Sequence, residues 1–253
     1  MTTDHDFEFT SVTPEPSLED YVDSFWMLHN KSDKPKEVII LPDGRMDLFC
    51  SRSATDPFHI TLSGIETQAD QAILAPGTLM FAISFKLLAA EYIFHQAISG
   101  IVDYAVHLPA DFWGFGAGDL EDFPLFCQKA TAQIRSLIPA TVDSRKQLLF
   151  GLLYAHKGNM TVQELSEKVF WSSRQINRYF NQQFGLSLKT YGDILRFRAS
   201  FPHIKTGKLF PEQDFADQSH FIKAVKKLSG VSPKELSKNQ NGRFIQFSTL
   251  GSR

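Results

Sequence analysis

The stretch SSRQINRYFNQQFGLSLK, Ser172 to Lys189, returns 45 positions later as DQSHFIKAVKKLSGVSPK, Asp217 to Lys234. In register, Ile176 meets Phe221, Phe180 meets Val225, Gly185 meets Gly230, Ser187 meets Ser232, and Lys189 meets Lys234. An internal repeat is one structural unit used twice. Each copy predicts a helix that is apolar inside and polar or basic outside, stopped by Gly, with Ser to open the next element. Two such helices on a helical spacer fit two successive major grooves on one face of a DNA duplex.

Charge divides along the same line. Residues 1–142 hold 8 Lys and Arg against 20 Asp and Glu, a net −12, whereas residues 143–240 hold 16 against 8, a net +8. A basic C-terminal part joined to an acidic N-terminal part is the pattern of a nucleic-acid-binding domain attached to something else, although uneven surface charge alone gives the same totals. At 253 residues and 43% apolar content, the chain has enough material for two ordinary domains and a sizeable core. The two cysteines, Cys50 and Cys127, provide neither a disulfide framework nor a four-thiolate zinc site, which suits a reducing cytoplasm. The N-terminus, MTTDHDFEF, lacks the basic start and apolar run of a signal peptide. The most apolar window, Ala72 to Phe94, is interrupted by Pro76, Gly77, Lys86 and Glu91, so a soluble protein with no membrane partner is expected.

The first hundred residues favour strands. Glu37–Leu41 and Met46–Cys50 flank a Pro42-Asp43-Gly44-Arg45 turn; Phe58–Leu62, Ile73–Ala75 and Thr78–Phe85 follow, predicting an antiparallel sheet or small barrel. Helices are expected over Leu88–Ile98, over Leu120–Ile138 (whose outer side offers a dimer seam, though packing on its own sheet is the commoner use), and over Arg145–His156 capped by Asp143 or Ser144. Thr161 with Glu164 forms a capping box for Val162–Val169. A tight turn and a helix from Ser172 or Ser173 to about Gln183 complete a helix-turn-helix pattern, and Leu188 to about Ile204 serves as the spacer. The fold class expected is α+β: residues 1–142 a sheet-rich domain with flanking helices, residues 143–240 an all-α double helix-turn-helix domain, residues 241–253 a tail.

Thr161–Ser200 followed by Asp217–Leu236 resembles the DNA-binding domain of AraC-type transcriptional regulators. The second copy carries the more specific motifs: Asp217-Gln-Ser-His-Phe221, Lys226-Lys227 and Gly230-Val-Ser-Pro233. The N-terminal part resembles a sheet-rich domain found ahead of some AraC-type regulators, through Trp26, Pro42-Asp43-Gly44, Gly64, Ile83-Ser-Phe85 and Leu108 with Phe112-Trp113-Gly114. The resemblance implies a DNA-binding transcriptional regulator, with double-stranded DNA as partner, room for RNA polymerase and for a homodimer, and an N-terminal domain that senses an unknown small molecule or dimerises. No cofactor is implied. Two departures stand out. Pro211 and Asp214 replace a small residue and a Gly, so the helix around Lys208–Asp214 is expected to be short or irregular. Val225 replaces an aromatic.

Arg174, Asn177 and Arg178 share one helix face by their i, i+3, i+4 spacing and match the family's groove-facing positions. Arg pairs with guanine and Asn with adenine through two bonds each. Ser173 is a further base-contact candidate and Gln175 a secondary one. In the second copy Gln218, Ser219, Ile222 and Lys223 match groove-facing positions, while His220 suits a local packing or capping role as well. Ser172, Lys189, Lys226, Lys227 and Lys234 are candidates for phosphate contact, which gives affinity with little sequence choice; plain solubility explains the lysines equally. Catalytic signatures such as a P-loop, a Gly-rich dinucleotide turn or a nucleophile elbow are absent. Glu91 and His95 have helical metal-pair spacing but bring no third ligand, and Asp43 and Asp47 are assigned to turn chemistry. The alternative is a small-molecule enzyme with a barrel domain whose basic repeat is incidental.

Overall fold

The computed structural model describes residues 6–208 and 217–248. Among these residues there are eight strands: β1 (Phe7–Val12), β2 (Val22–Asn30), β3 (Lys36–Ile40), β4 (Met46–Arg52), β5 (His59–Ser63), β6 (Asp70–Leu74), β7 (Leu79–Phe85) and β8 (Ala105–Leu108). Six form an antiparallel sheet in the order β1-β2-β7-β4-β5-β8, while β3 and β6 pair separately. The Pro42–Arg45 turn therefore carries the chain from one sheet to the other. Helix α1 (Leu88–Tyr92) lies between β7 and β8, and the other helices follow: α2 (Phe123–Leu137), α3 (Ser144–Ala155), α4 (Val162–Val169), α5 (Ser173–Phe184), α6 (Leu188–Ala199), α7 (Phe201–Lys205), α8 (Gln218–Ser229), α9 (Pro233–Lys238) and α10 (Ile245–Ser248). The architecture is an N-terminal antiparallel sheet followed by a helical C-terminal region, the α+β class expected.

Strand alternation sorts the large sheet into two faces. Phe25, Leu48, Leu62, Phe81, Ile83 and Phe85 point one way and are buried. Phe81 meets Phe123 and Phe126 of α2 edge-on at 5.1 and 5.6 Å, so α2 packs on its own sheet. Burying each such side chain contributes about 1.5–3 kcal/mol.

Two helices end earlier than their periodicity predicts. α1 stops at Tyr92 instead of continuing to Ile98, and His95 adopts φ +53. Tertiary contacts override the pattern: Phe94 packs on Phe85 and Trp113, and the Ile98 N–H donates to the Gln183 carbonyl of α5 at 2.8 Å. Glu91 and His95 are thus not a helical pair. Glu91 instead holds the Lys146 ammonium and accepts from the Tyr179 hydroxyl at 2.9 Å. The predicted spacer helix is two pieces, α6 and α7, meeting at Ser200. Pro202 has no N–H to continue the α6 ladder, and its ring opposes the carbonyl a turn earlier. The irregularity expected at Pro211 and Asp214 falls outside the described residues.

The sheet and the helical region are tied together at three places. The α5–α6 corner sits on residues 98–102, where a Cβ on Gly185 would lie 2.8 Å from Val102 Cγ2 and 2.9 Å from the Ser99 carbonyl oxygen. α6 docks on the Pro42–Arg45 turn: the Tyr191 hydroxyl donates to the Gly44 carbonyl at 3.0 Å, and a Cβ on Gly44 would meet the Tyr191 ring at 3.0 Å. The segment before α10 runs along β3, with the Ile39 N–H on the Arg243 carbonyl at 2.6 Å and the Gln246 amide bonding both backbone groups of Leu41. Phe244 and Phe247 are buried there.

Between these contacts lies an ionic triad. Asp23 of β2 accepts from Arg45 Nη2 at 2.9 Å and from Arg198 Nη2 of α6 at 2.6 Å. Burial works to raise the Asp23 carboxyl, but the two guanidinium groups outweigh it and hold the group well below the usual carboxylate range. The Arg45 guanidinium also lies 4.9 Å from the Tyr154 ring centre, and the Tyr154 hydroxyl bonds that of Tyr191 at 3.0 Å.

Candidate nucleic-acid interface

The repeat read in the sequence is a repeat in three dimensions. α5 and α8 each span 12 residues. Each starts on a side-chain oxygen cap, Ser172 or Asp217, and each stops at a left-handed glycine, Gly185 at φ +73 and Gly230 at φ +75. Ser187 and Ser232 then cap α6 and α9. Local chemistry explains this agreement: the caps satisfy the first free N–H groups, and glycine adopts positive φ at little cost.

In the first unit, Thr161 and Glu164 cap α4 reciprocally, and Phe170 turns the chain into α5 at φ +55. Ile176, Phe180 and Phe184 face inward and are fully buried. Arg174 and Arg178 lie one turn apart on the opposite side, exposed, and neither forms an ion pair among the described residues. Asn177 is half-buried, and its amide donates to the Ser173 carbonyl at 3.1 Å. Ser173 is half-buried as well. Ser172 and Gln175 serve the helix start: the Ser172 N–H and hydroxyl both donate to Gln175 Oε1 at 2.9 Å. Lys189 is exposed at the start of α6.

In the second unit, Phe221 and Val225 are buried, so valine fills the position where the first copy has Phe180. Gln218, Ser219, Lys223, Lys226, Lys227 and Lys234 are exposed, and Ile222 is 38% exposed despite being aliphatic. The His220 side chain is exposed, and its backbone N–H donates to the Asp217 cap at 2.7 Å. Each candidate contact residue therefore lies on α5, on α8, on the cap that opens α5, or in the first turn of α6 or α9.

A second region escaped the sequence. The sheet face turned away from α2 carries Trp26, Asp47, Phe49, Thr61, Ser84 and His107. Asp43 does serve the turn, its Oδ1 accepting from the Arg45 N–H at 3.0 Å. Asp47 does not. It sits on the sheet with Oδ1 buried and unbonded among the described residues. Burial first, then the Asp43 charge, push its carboxyl up to about 7, against hydrogen bonds from Ser84 and Trp26. Glu66 is likewise pushed up to about 7, by burial and the nearby Asp103. A carboxyl with a raised folded-state pKa takes up a proton on folding between the unfolded value of ~3.9 and about 7, so stability falls as pH rises through that window. Asp47→Asn is expected to raise stability above pH 7 by about 1–3 kcal/mol and to give no gain near pH 4. Urea unfolding across that pH range checks it, and a gain of the same size at both ends would show that charge is not the cause.

Among the described residues there is no group of three metal-ligating side chains and no helix long and apolar enough to cross a membrane. Residues 10–107 match a family described as a domain of unknown function (DUF6597). No curated protein matches the chain. Among solved structures, the chain is similar to ToxT from Vibrio cholerae, with 12% identity and a TM-score of 0.44 over 92% of this chain and 97% of that one. ToxT in its unsaturated-fatty-acid-bound form is similar at 13% identity and a TM-score of 0.41, over 94% and 96% of the two chains.

Proposed function

We propose that this protein is a sequence-specific DNA-binding transcriptional regulator. Residues 143–240 form its double helix-turn-helix domain, and α5 and α8 are its two reading helices. One observation carries this: the same capped, glycine-stopped 12-residue helix occurs twice, and both copies turn exposed cationic and amide side chains outward. Arg174 and Arg178 make base contacts from α5, supported by Ser173 and Asn177; Gln218, Ser219, Ile222 and Lys223 face the groove from α8. Ser172, Lys189, Lys226, Lys227 and Lys234 hold phosphates. The likeness of Thr161–Ser200 and Asp217–Leu236 to AraC-type regulators supports the regulatory role, and a cytoplasmic site of action follows from it.

The N-terminal domain serves as the sensor. Its mixed aromatic and polar sheet face, with Trp26 and Phe49 beside Asp47, Thr61 and His107, is the composition of a small-molecule site.

The test is selection of bound fragments from the source genome by the full-length protein, followed by titration of a selected and a scrambled duplex at several salt concentrations. Tight, salt-dependent binding that prefers the selected duplex is expected. Equal affinity for both duplexes would refute sequence-specific recognition, and the absence of salt-dependent binding to either would favour the enzyme alternative.

A further inference from the structure

Phe170 closes α4 with its ring in water. It is 87% exposed, more than any other large apolar side chain among the described residues. Its backbone lies at φ +55, ψ +35, the left-handed region that glycine fills readily and a Cβ disfavours. Neither the exposure nor the conformation favours phenylalanine over glycine here. Both neighbours are pinned. Val169 is fully buried, and Trp171 packs edge-on against Tyr179 at 5.5 Å beneath the Arg145 guanidinium at 5.1 Å. The ring is thus held out from a rigid stem, two residues before the cap of the helix that presents Arg174 and Arg178.

We propose that Phe170 is a further DNA-contacting residue, its ring resting on the C5 methyl group of a thymine at the edge of the groove that α5 enters. This rests on the reading of α5 as a DNA-reading helix and adds to it an apolar contact that none of the candidate polar residues makes. The thymine methyl is the one apolar group on a base edge in the major groove, and an aromatic ring is a fitting partner for it. Such a contact desolvates carbon and displaces no counterion, so it selects an A·T pair without changing the salt dependence.

The experiment titrates the full-length protein and Phe170→Gly onto a duplex selected by the wild-type protein. The same duplex is then used with each thymine in turn replaced by deoxyuridine, which lacks only the methyl group. The wild-type protein is expected to lose about three- to tenfold in affinity at one thymine. Phe170→Gly is expected to show that loss already on the thymine duplex, no further loss on the uracil one, and an unchanged salt slope. Glycine suits the local φ, so the variant should melt no lower than wild type; Phe170→Asn, whose side chain also tolerates this conformation, carries the test should glycine loosen the turn. Unchanged affinity of Phe170→Gly, or the same methyl-dependent loss in variant and wild type, overturns the proposal and leaves the assignment of α5 intact. A change of oligomeric state in Phe170→Gly overturns it in favour of a contact between copies. Failure of the wild-type protein to bind any duplex removes the DNA-binding reading, and this proposal with it.

Discussion

Asp23→Ala is expected to lower the stability of the folded chain by about 3–5 kcal/mol. The substitution leaves Arg45, whose side chain is only 6% exposed, buried without its carboxylate, and it frees Arg198 of α6. Arg198 is 25% exposed and can turn to water, so most of the cost falls on Arg45. A rescue is expected. Replacing Asp23 with Leu and Arg45 with Met together removes both charges and fills similar volume, and it should recover most of the loss. Because the carboxyl is held low by its arginines, the triad's contribution is complete above ~4 and is lost only as pH falls below that. Urea unfolding of the three proteins at neutral pH measures it. A loss under 1 kcal/mol for Asp23→Ala would mean that the triad does not couple the sheet to the spacer helix.

That triad also marks what a sequence does not disclose. Asp23, Arg45 and Arg198 lie 22 and 175 positions apart, and nothing local distinguishes them from solvated charges. The repeat was legible because its determinants are local: Ser172 and Asp217 cap the helix they precede, and Gly185 and Gly230 stop it. Strand positions between Lys36 and Phe85 were legible for the same reason, but β1, β2 and β8 were not predicted, and the pairing was not legible. The Pro42–Arg45 turn reads as a hairpin link yet joins two different sheets. Asp43 and Asp47 look alike in sequence; only the register shows that Asp47 lies on the sheet face beside Ser84. The break between α6 and α7 was signalled by Pro202, and apolar periodicity masked it. Within the candidate interface, the exposed arginines follow from helix periodicity, whereas the inward-bonded amide of Asn177 does not.

Removing both exposed arginines of α5, Arg174→Ala with Arg178→Ala, is expected to weaken binding to a selected duplex by about 2–6 kcal/mol, since one bidentate guanidinium–guanine pair is worth about 1–3 kcal/mol. Binding to random duplex should fall far less, because only the charge contribution is lost there. Neither residue forms an ion pair among the described residues, so the fold should change by no more than about 0.5 kcal/mol. Lys227→Ala supplies the contrast: a similar small loss on every duplex and a salt slope lower by about one. The repeat sharpens the comparison further. Arg174 aligns with Ser219 and Arg178 with Lys223, so α8 presents no guanidinium fork at the equivalent positions. Ser219→Ala with Lys223→Ala is therefore expected to cost less specificity than the arginine pair, making α5 the dominant reader. Titrations of the three variants on selected and scrambled duplexes at several salt concentrations decide the matter. Losses for the arginine pair that are equal on both duplexes would leave those residues as phosphate contacts and move sequence recognition to α8.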